Sequence, residues 1–477
     1  MTPALCGRLV HRPGAPPVRG LSRAVRSGVG ARVTLAATLL VRLTFPSAVT
    51  AQSAAPANAS APTLLLGDLY GDVQRANPRI VAARAIARAA AARVPGASRP
   101  PDPQFQFGLM NYALPRLTPM PVLGMTQLQL MQMLPLGGKL ALAGQVASAT
   151  ASATTFRAEE VGWVLRSEAA MAFYDLYAAD RGLDVDRETL GLLRNIAATA
   201  EAMYRVGDGR QTDVLRARVE IARMAEDTLR MTAMRQSMMA RLDALLDRET
   251  TSVTARPLLP AFPDSLPSRA WLDSVARDRR PMIRAGLDVV RGADASVRLA
   301  RKEIIPDLQV GVQYGRQRGD MGGTDQMGSL MLGVTLPIFA RSRQLQMRVE
   351  ADAMRVMAQS DVAAMRAETR GRIGEAYAAL MRARTLASLY RSTVLPEAEA
   401  TVASAMAAYR VGTVDFMTLL DDRMTVNKYR RELYTLDAEQ GKAWADLEML
   451  TGLALFDANA RSGAVPTSRP STTEVSR

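Results

Sequence analysis

The sequence predicts an α+β membrane protein built from two internal repeats, each a short amphipathic β-hairpin continued by very long helices. Three observations carry that expectation: a duplicated phrase, two kinds of hydrophobic periodicity, and an N-terminus resembling an export signal. Residues 203–218 read MYRVGDGRQTDVLRAR and residues 408–423 read AYRVGTVDFMTLLDDR, so Tyr204, Arg205, Val206 and Gly207 fall on Tyr409, Arg410, Val411 and Gly412.

Repeats come first, because missing one misreads the whole fold. Asn77-Pro78 precedes Arg280-Pro281 by 203 positions, and PQFQFG at 103–108 precedes PDLQVG at 306–311 by the same interval. Leu134-Pro135-Leu136 answers Leu336-Pro337-Ile338, and RLDALL at 241–246 answers ADLEML at 445–450. Landmarks at a nearly constant offset define two repeats, 77–250 and 281–452, joined by a linker at 251–280.

Each repeat opens with an alanine-rich helical segment, at 78–94 and 282–303. Long helices follow at 138–206 and 210–248, and again at 340–410 and 415–451, where apolar residues recur at helical spacing, as in Ile373, Tyr377, Leu380 and Met381. No proline falls between Pro135 and Pro257. At ~1.5 Å rise per residue, a helix from Leu140 to Tyr204 approaches ~100 Å if unbroken, too long for one globular core. A coiled coil, a solenoid or an extended α-barrel would accommodate it.

Between these helices lie strands at about 104–112 and 126–134, and about 307–316 and 328–336. Leu308, Val310, Val312 and Tyr314 share one face, with Gln309, Gly311, Gln313 and Gly315 on the other. Leu330, Leu332, Val334 and Leu336 alternate against Ser329, Met331, Gly333 and Thr335. The first repeat alternates less cleanly, with Phe105, Phe107 and Leu109 set against Gln104, Gln106 and Gly108. Period-two alternation over about nine residues suits a barrel strand with lipid outside and water inside. Ordinary soluble hairpins would show it too. Four strands cannot close a barrel, so the membrane reading requires an oligomer.

The formal charge of +14 over 477 residues would suggest a polyanionic partner, but the excess is partly local. Residues 1–51 hold seven arginines and no acid; without them 53 basic residues face 46 acidic ones, a net +7. No Lys/Arg block interleaved with aromatics occurs, so no nucleic-acid partner is expected. Residues 1–51 read as a signal peptide: a basic stretch, the apolar VTLAATLLV, then SAVTAQ, with Val49 and Ala51 suiting the small −3 and −1 positions of a cleavage site. As a membrane anchor the run falls short of the ~18–20 residues a span needs, because Arg42 breaks it. The only cysteine, Cys6, and the only histidine, His11, lie in that segment. A processed chain therefore has no disulfide, no Cys/His zinc site, no thiol nucleophile and no imidazole base. Acids fall almost only at helical surface spacing. No catalytic residue, cofactor or metal site is expected, and the protein is not expected to be an enzyme.

Export, duplication, two hairpins and very long helices together resemble the outer-membrane efflux (TolC-like) channels, over about 77–452. The resemblance is most specific at AYRVGTVDFMTLLDDR, at the corners LMQMLPLGGKL and LGVTLPIFARSR, and at KAWADLEMLTG. It implies a homotrimer whose protomers each give four strands to a 12-stranded β-barrel in outer-membrane lipid. A periplasmic α-helical barrel continues it, with 251–280 as an equatorial linker, 52–76 as an N-terminal periplasmic segment and 453–477 as a flexible tail. It implies a passive exit duct joined through a periplasmic adaptor to an inner-membrane resistance-nodulation-division pump.

The resemblance also implies that the duplicated phrase sits at the periplasmic tip, with helices turning over at Gly207 and Gly412. Asp421 matches a constriction aspartate. Thr418 stands where the family has a second one, so one acidic ring is expected to be missing. Asp213 and Tyr409, with Thr212 beside them, match residues that tie the closed helices together. Val414 stands where the family has a tying arginine. DPQFQFGLMNYALP with GMTQLQLMQMLPLGGKL looks closer to the branch paired with heavy-metal pumps. Met110, Met120, Met125, Met131 and Met133 cluster there; thioethers suit soft cations such as Cu(I), and equally serve as flexible core filler. Type I protein secretion fits the same resemblance. A soluble periplasmic coiled-coil adaptor would instead need lipoyl-like domains, and the double strand–helix repeat argues against it.

Overall fold

Two like halves meet edge to edge in one antiparallel sheet, and every strand of that sheet runs on into a helix. The structure, a computed structural model, describes residues 63–113, 115–120, 124–249, 255–318 and 323–456, all within one compact unit, Ala59–Arg477. The expected signal peptide, Cys6, His11 and most of the expected tail lie outside the described residues.

The first half comprises β1 (Thr63–Leu64), α1 (Leu66–Ala76), α2 (Pro78–Ala97), β2 (Gln104–Met110), β3 (Tyr112–Ala113), β4 (Thr118–Pro119), β5 (Met125–Leu134), α3 (Lys139–Val206) and α4 (Gln211–Leu245). The second comprises β6 (Arg256–Pro257), α5 (Arg269–Arg279), α6 (Pro281–Lys302), β7 (Asp307–Arg318), β8 (Thr324–Thr335), α7 (Gln344–Leu389), a π-helical turn (Tyr390–Val394), α8 (Leu395–Arg410) and α9 (Phe416–Thr451). The duplicated prolines explain the matching starts. Pro78 and Pro281 each occupy a first helical turn, where a missing N–H removes no bond. Asn77 Oδ1 accepts the Arg79 N–H at 2.9 Å, while Glu160 Oε2, reaching across from α3, accepts the Met282 N–H at 3.1 Å. Three segments differ from what their sequence suggested. The linker contains α5, the first hairpin loop carries the β3–β4 ladder, and the helix expected at 340–410 starts at Gln344 and widens at Tyr390–Val394.

The strand order is β2-β5-β7-β8, antiparallel throughout. Phe105, Leu130, Val312 and Leu330 form one cross-strand row. On the opposite face Gln106, Gln129, Gln313 and Ser329 form another. The apolar face is bare: Phe105 is 67% exposed and Leu330 70%. The helices beyond keep the strand order, with α2 against α3, α3 against α6 and α6 against α7. At the corner into α3, the buried Lys139 Nζ donates to the Ile305 carbonyl and to Asp307 Oδ1, each at 2.8 Å. That contact locks the start of α3 to the start of β7.

The core sits halfway along the helices. Leu66, Leu69 and Val73 of α1, Leu165, Phe173 and Leu176 of α3, Leu242 of α4 and Ala445 of α9 form one cluster. Leu272 of α5, Ile373 and Leu380 of α7 and Trp444 of α9 form its neighbour. Close approach here depends on Gly441, where an added Cβ would stand 2.2 Å from the Tyr174 ring. Among the described residues no helix is long and apolar enough to cross a membrane.

Candidate functional site at the helical tip

The repeated phrase forms the same structure twice. At the end of α3, Gly207 has φ +91°, with its N–H on the Tyr204 carbonyl and the Asp208 N–H on that of Met203. At the end of α8, Gly412 has φ +74°, with its N–H on the Tyr409 carbonyl and the Thr413 N–H on that of Ala408. Both are Schellman caps, which close a helix through a left-handed residue and favour glycine there. Each chain reversal then launches a long helix, α4 or α9. Asp415 caps α9 by accepting the Met417 N–H at 3.3 Å.

The expected gate residues divide into two groups. Tyr409 is buried in one cluster with Val214, Leu419 and Leu420, its ring meeting Phe416 edge-on at 5.7 Å, and Asp213, next to Val214 in the chain, is buried too. Burial raises the Tyr409 phenol pKa, and the carboxylates of Asp213 and Asp415 raise it further, so the hydroxyl stays protonated. Thr212 is exposed in the first turn of α4. Thr418 and Asp421, one turn apart on α9, are also exposed, on the face away from the buried Leu419, Leu420 and Arg423. The chain thus brings Asp213 towards Tyr409 and leaves Thr418 and Asp421 on a separate, open face.

Further along, α9 is fastened to α3 by polar groups that sequence reasoning missed. Asn427 Nδ2 donates to Asp186 Oδ1 at 3.3 Å and to Thr189 Oγ1 at 3.0 Å, all three buried, and Arg431 lies 3.5 Å from Asp186. Burial raises the Asp186 pKa, opposed by Arg431 and Asn427. One turn away, Arg430 spans three helices. Its Nη1 reaches both Glu188 oxygens on α3 at 2.8 and 2.9 Å, and its Nη2 reaches Glu399 on α8 at 2.6 Å. Arg423 is buried 3.9 Å from Glu188, and burial followed by its neighbour Arg430 lowers its pKa. The one available signal was Asn427, an amide inside a helical run. Its partners lie about 240 positions away, beyond any local pattern.

The chain thus joins a four-stranded sheet, one face of it apolar and exposed, to long helices that turn over at a distant tip. Residues 272–453 match the family profile described as outer membrane efflux protein. Among solved structures, the chain is similar to CusC with TM-score 0.71 and 16% identity, over 82% of this chain and 93% of that one. It is similar to the Campylobacter jejuni CmeC outer membrane channel with TM-score 0.69 and 15% identity, over 82% and 87%. It is also similar to the open state of the Neisseria gonorrhoeae MtrE outer membrane channel with TM-score 0.64 and 17% identity, over 82% and 89%. At these identities the likeness is one of fold. No curated sequence gives a significant match. The family match falls on the second half of the chain, and over its whole described length the chain shares the fold of these outer membrane channels.

Proposed function

We propose that three copies of this chain close edge to edge into a 12-stranded barrel continued by a helical barrel, forming the passive exit duct of a tripartite efflux assembly. The observation that carries this reading is the sheet itself: one face apolar and exposed, with β2 and β8 at unpaired edges. An exposed apolar edge strand is an aggregation hazard unless another strand covers it. Pairing β2 with β8 of the next copy removes every edge, and the helices at the same two margins, α2 and α7, meet in the same step. Two like halves per protomer then line one tube with near sixfold evenness, which is what the duplication provides.

In this reading the protein carries no catalytic residue. Energy comes from an inner-membrane resistance-nodulation-division pump, and a periplasmic adaptor joins the two. The cargo is a small molecule or a metal ion, chosen mainly by the pump. Asp421 of each copy converges at the periplasmic entrance as a single acidic ring, while Tyr409 with Asp213 holds the helix pairs together. Membrane fractionation followed by electrophoresis without boiling tests the assembly. A trimer in the outer-membrane fraction is expected, and a soluble monomer would overturn the proposal.

A further inference from the structure

We propose that the cavity between α3, α6 and α7 is a binding site for a primary-amine amphiphile: an apolar body carrying one ammonium group. The cavity holds about 460 Å3, and three helix faces build it at helical spacing. Alanines and Gly292 hollow it out, while Met347, Met354 and Met357 form deformable walls. At Gly292 an added Cβ would lie 3.4 Å from that of Ala149, so the small residues let α3 and α6 approach closely. Small residues alone would mark only tight helix packing.

Asp288 is what makes the hollow a site. Its side chain lines the cavity and is 4% exposed. One oxygen, Oδ1, is held by Arg291 on the same helix. The other, Oδ2, is buried and has no hydrogen-bond partner among the described residues. An unpaired buried carboxylate oxygen is costly, and a ligand N–H that reaches it recovers the loss. Three carboxylates, Asp288, Glu303 and Glu350, line the cavity with Arg157. Arg291 is taken up by Asp288 Oδ1 and Lys139 lies 3.7 Å from Glu303, so a cation reaching Oδ2 meets an acidic lining whose own cations are already engaged outside it. The walls require an apolar body and Asp288 requires a cationic donor; a ligand with both is an alkyl- or arylmethylamine. This inference does not depend on the assembly proposed above, because it concerns a cavity formed within one chain.

The test is fluorescence titration of the purified full chain in detergent with two near-isosteric probes, 1-naphthylmethylamine and 1-naphthylmethanol, at neutral pH. Wild type should bind the amine at least about tenfold more tightly than the alcohol, as expected for a charge-assisted bond in a partly desolvated site. Asp288→Asn, which keeps the shape and removes the charge, should bring the amine down to the alcohol's affinity. Ala351→Leu, which fills the hollow from α7, should abolish binding of both probes. If Asp288→Asn does not fold, the two probes on wild type and the Ala351→Leu variant decide the matter. Equal affinity for amine and alcohol in wild type overturns the proposal. So does amine binding that survives Asp288→Asn or Ala351→Leu.

Discussion

Arg430 is where loosening the tip should be easiest to measure. Replacing it with Met keeps most of the apolar stem and removes the guanidinium that joins Glu188 on α3 to Glu399 on α8. The side chains are 28%, 53% and 46% exposed, so the short distances cannot be read as buried ion pairs. Exposed pairs contribute roughly 0.2–1 kcal/mol each, and two of them give about 1 kcal/mol per protomer. If three copies open together, the closed state loses about 3 kcal/mol, a shift on the order of 100-fold in the closed-to-open ratio. Single-channel recording in planar bilayers should therefore find Arg430→Met open far more often than wild type at low ionic strength. The difference should shrink near 1 M salt, where the Debye length falls to about 3 Å. Equal open probabilities at low salt, or a difference indifferent to salt, would refute the tie.

Asp421→Ala deletes every charge of the proposed acidic ring in one substitution, so block by hexammine or divalent cations from the periplasmic side should disappear; persistent block would place the entrance elsewhere. Tyr409→Phe combined with Asp213→Ala should raise conductance by loosening the buried cluster, and unchanged conductance in the same recordings would contradict that role. Gly441→Ala pushes a methyl group into the Tyr174 ring at the waist, and overpacking of this kind costs about 1–3 kcal/mol, visible as a lower Tm. Burial raises the pKa of Glu448 despite Arg166, so the folded chain binds a proton there more readily than the unfolded chain. The Glu448 contribution to stability is then greatest below the ordinary carboxylate pKa and is lost as pH rises through the raised folded value. Thermal unfolding across that window should show wild type losing stability towards neutral pH, and Glu448→Gln should remove that component.

Periodicity made the elements legible in the sequence, while distance along the chain hid the contacts. Alternation placed Leu308, Val310, Val312 and Tyr314 on one face, and the register puts Val312 in a row with Leu130 and Phe105. The duplicated YRVG pointed to two equivalent turns, which the left-handed Gly207 and Gly412 form. What could not be read was any pairing set by packing between halves. Lys139 with Asp307, Asn427 with Asp186 and Arg166 with Glu448 are each separated by 168 residues or more. Each charge reads locally as a solvated helix face. The α5 helix was missed for a different reason: its start depends on Ser268 capping the Trp271 N–H at 3.3 Å inside a stretch rich in proline.

The two halves are alike but not equivalent, and a proline accounts for part of the difference. In the first half, α3 runs unbroken for 68 residues from the sheet to the tip. In the second, the same path is divided into α7, the π turn Tyr390–Val394 and α8. Pro396 lies in the first turn of α8, where it has no N–H to give and its ring crowds the carbonyl of Ser392, one turn back. Widening the helix by one residue per turn moves that carbonyl away, and π turns arise where a helix must absorb such a defect. At the offset of 205 that aligns Gly412 with Gly207, the first half has Gly191, which keeps its backbone N–H and needs no such adjustment. The α8–α9 pair therefore hangs below a local irregularity that the α3–α4 pair lacks. Between that irregularity and the tip, Arg430, Asn427 and Arg431 join α9 to α3 beside the apolar cluster of Leu193, Ile196, Leu419 and Leu420. Weakening that fastening should therefore loosen the α8–α9 pair before the α3–α4 pair, whose α3 is continuous from sheet to tip.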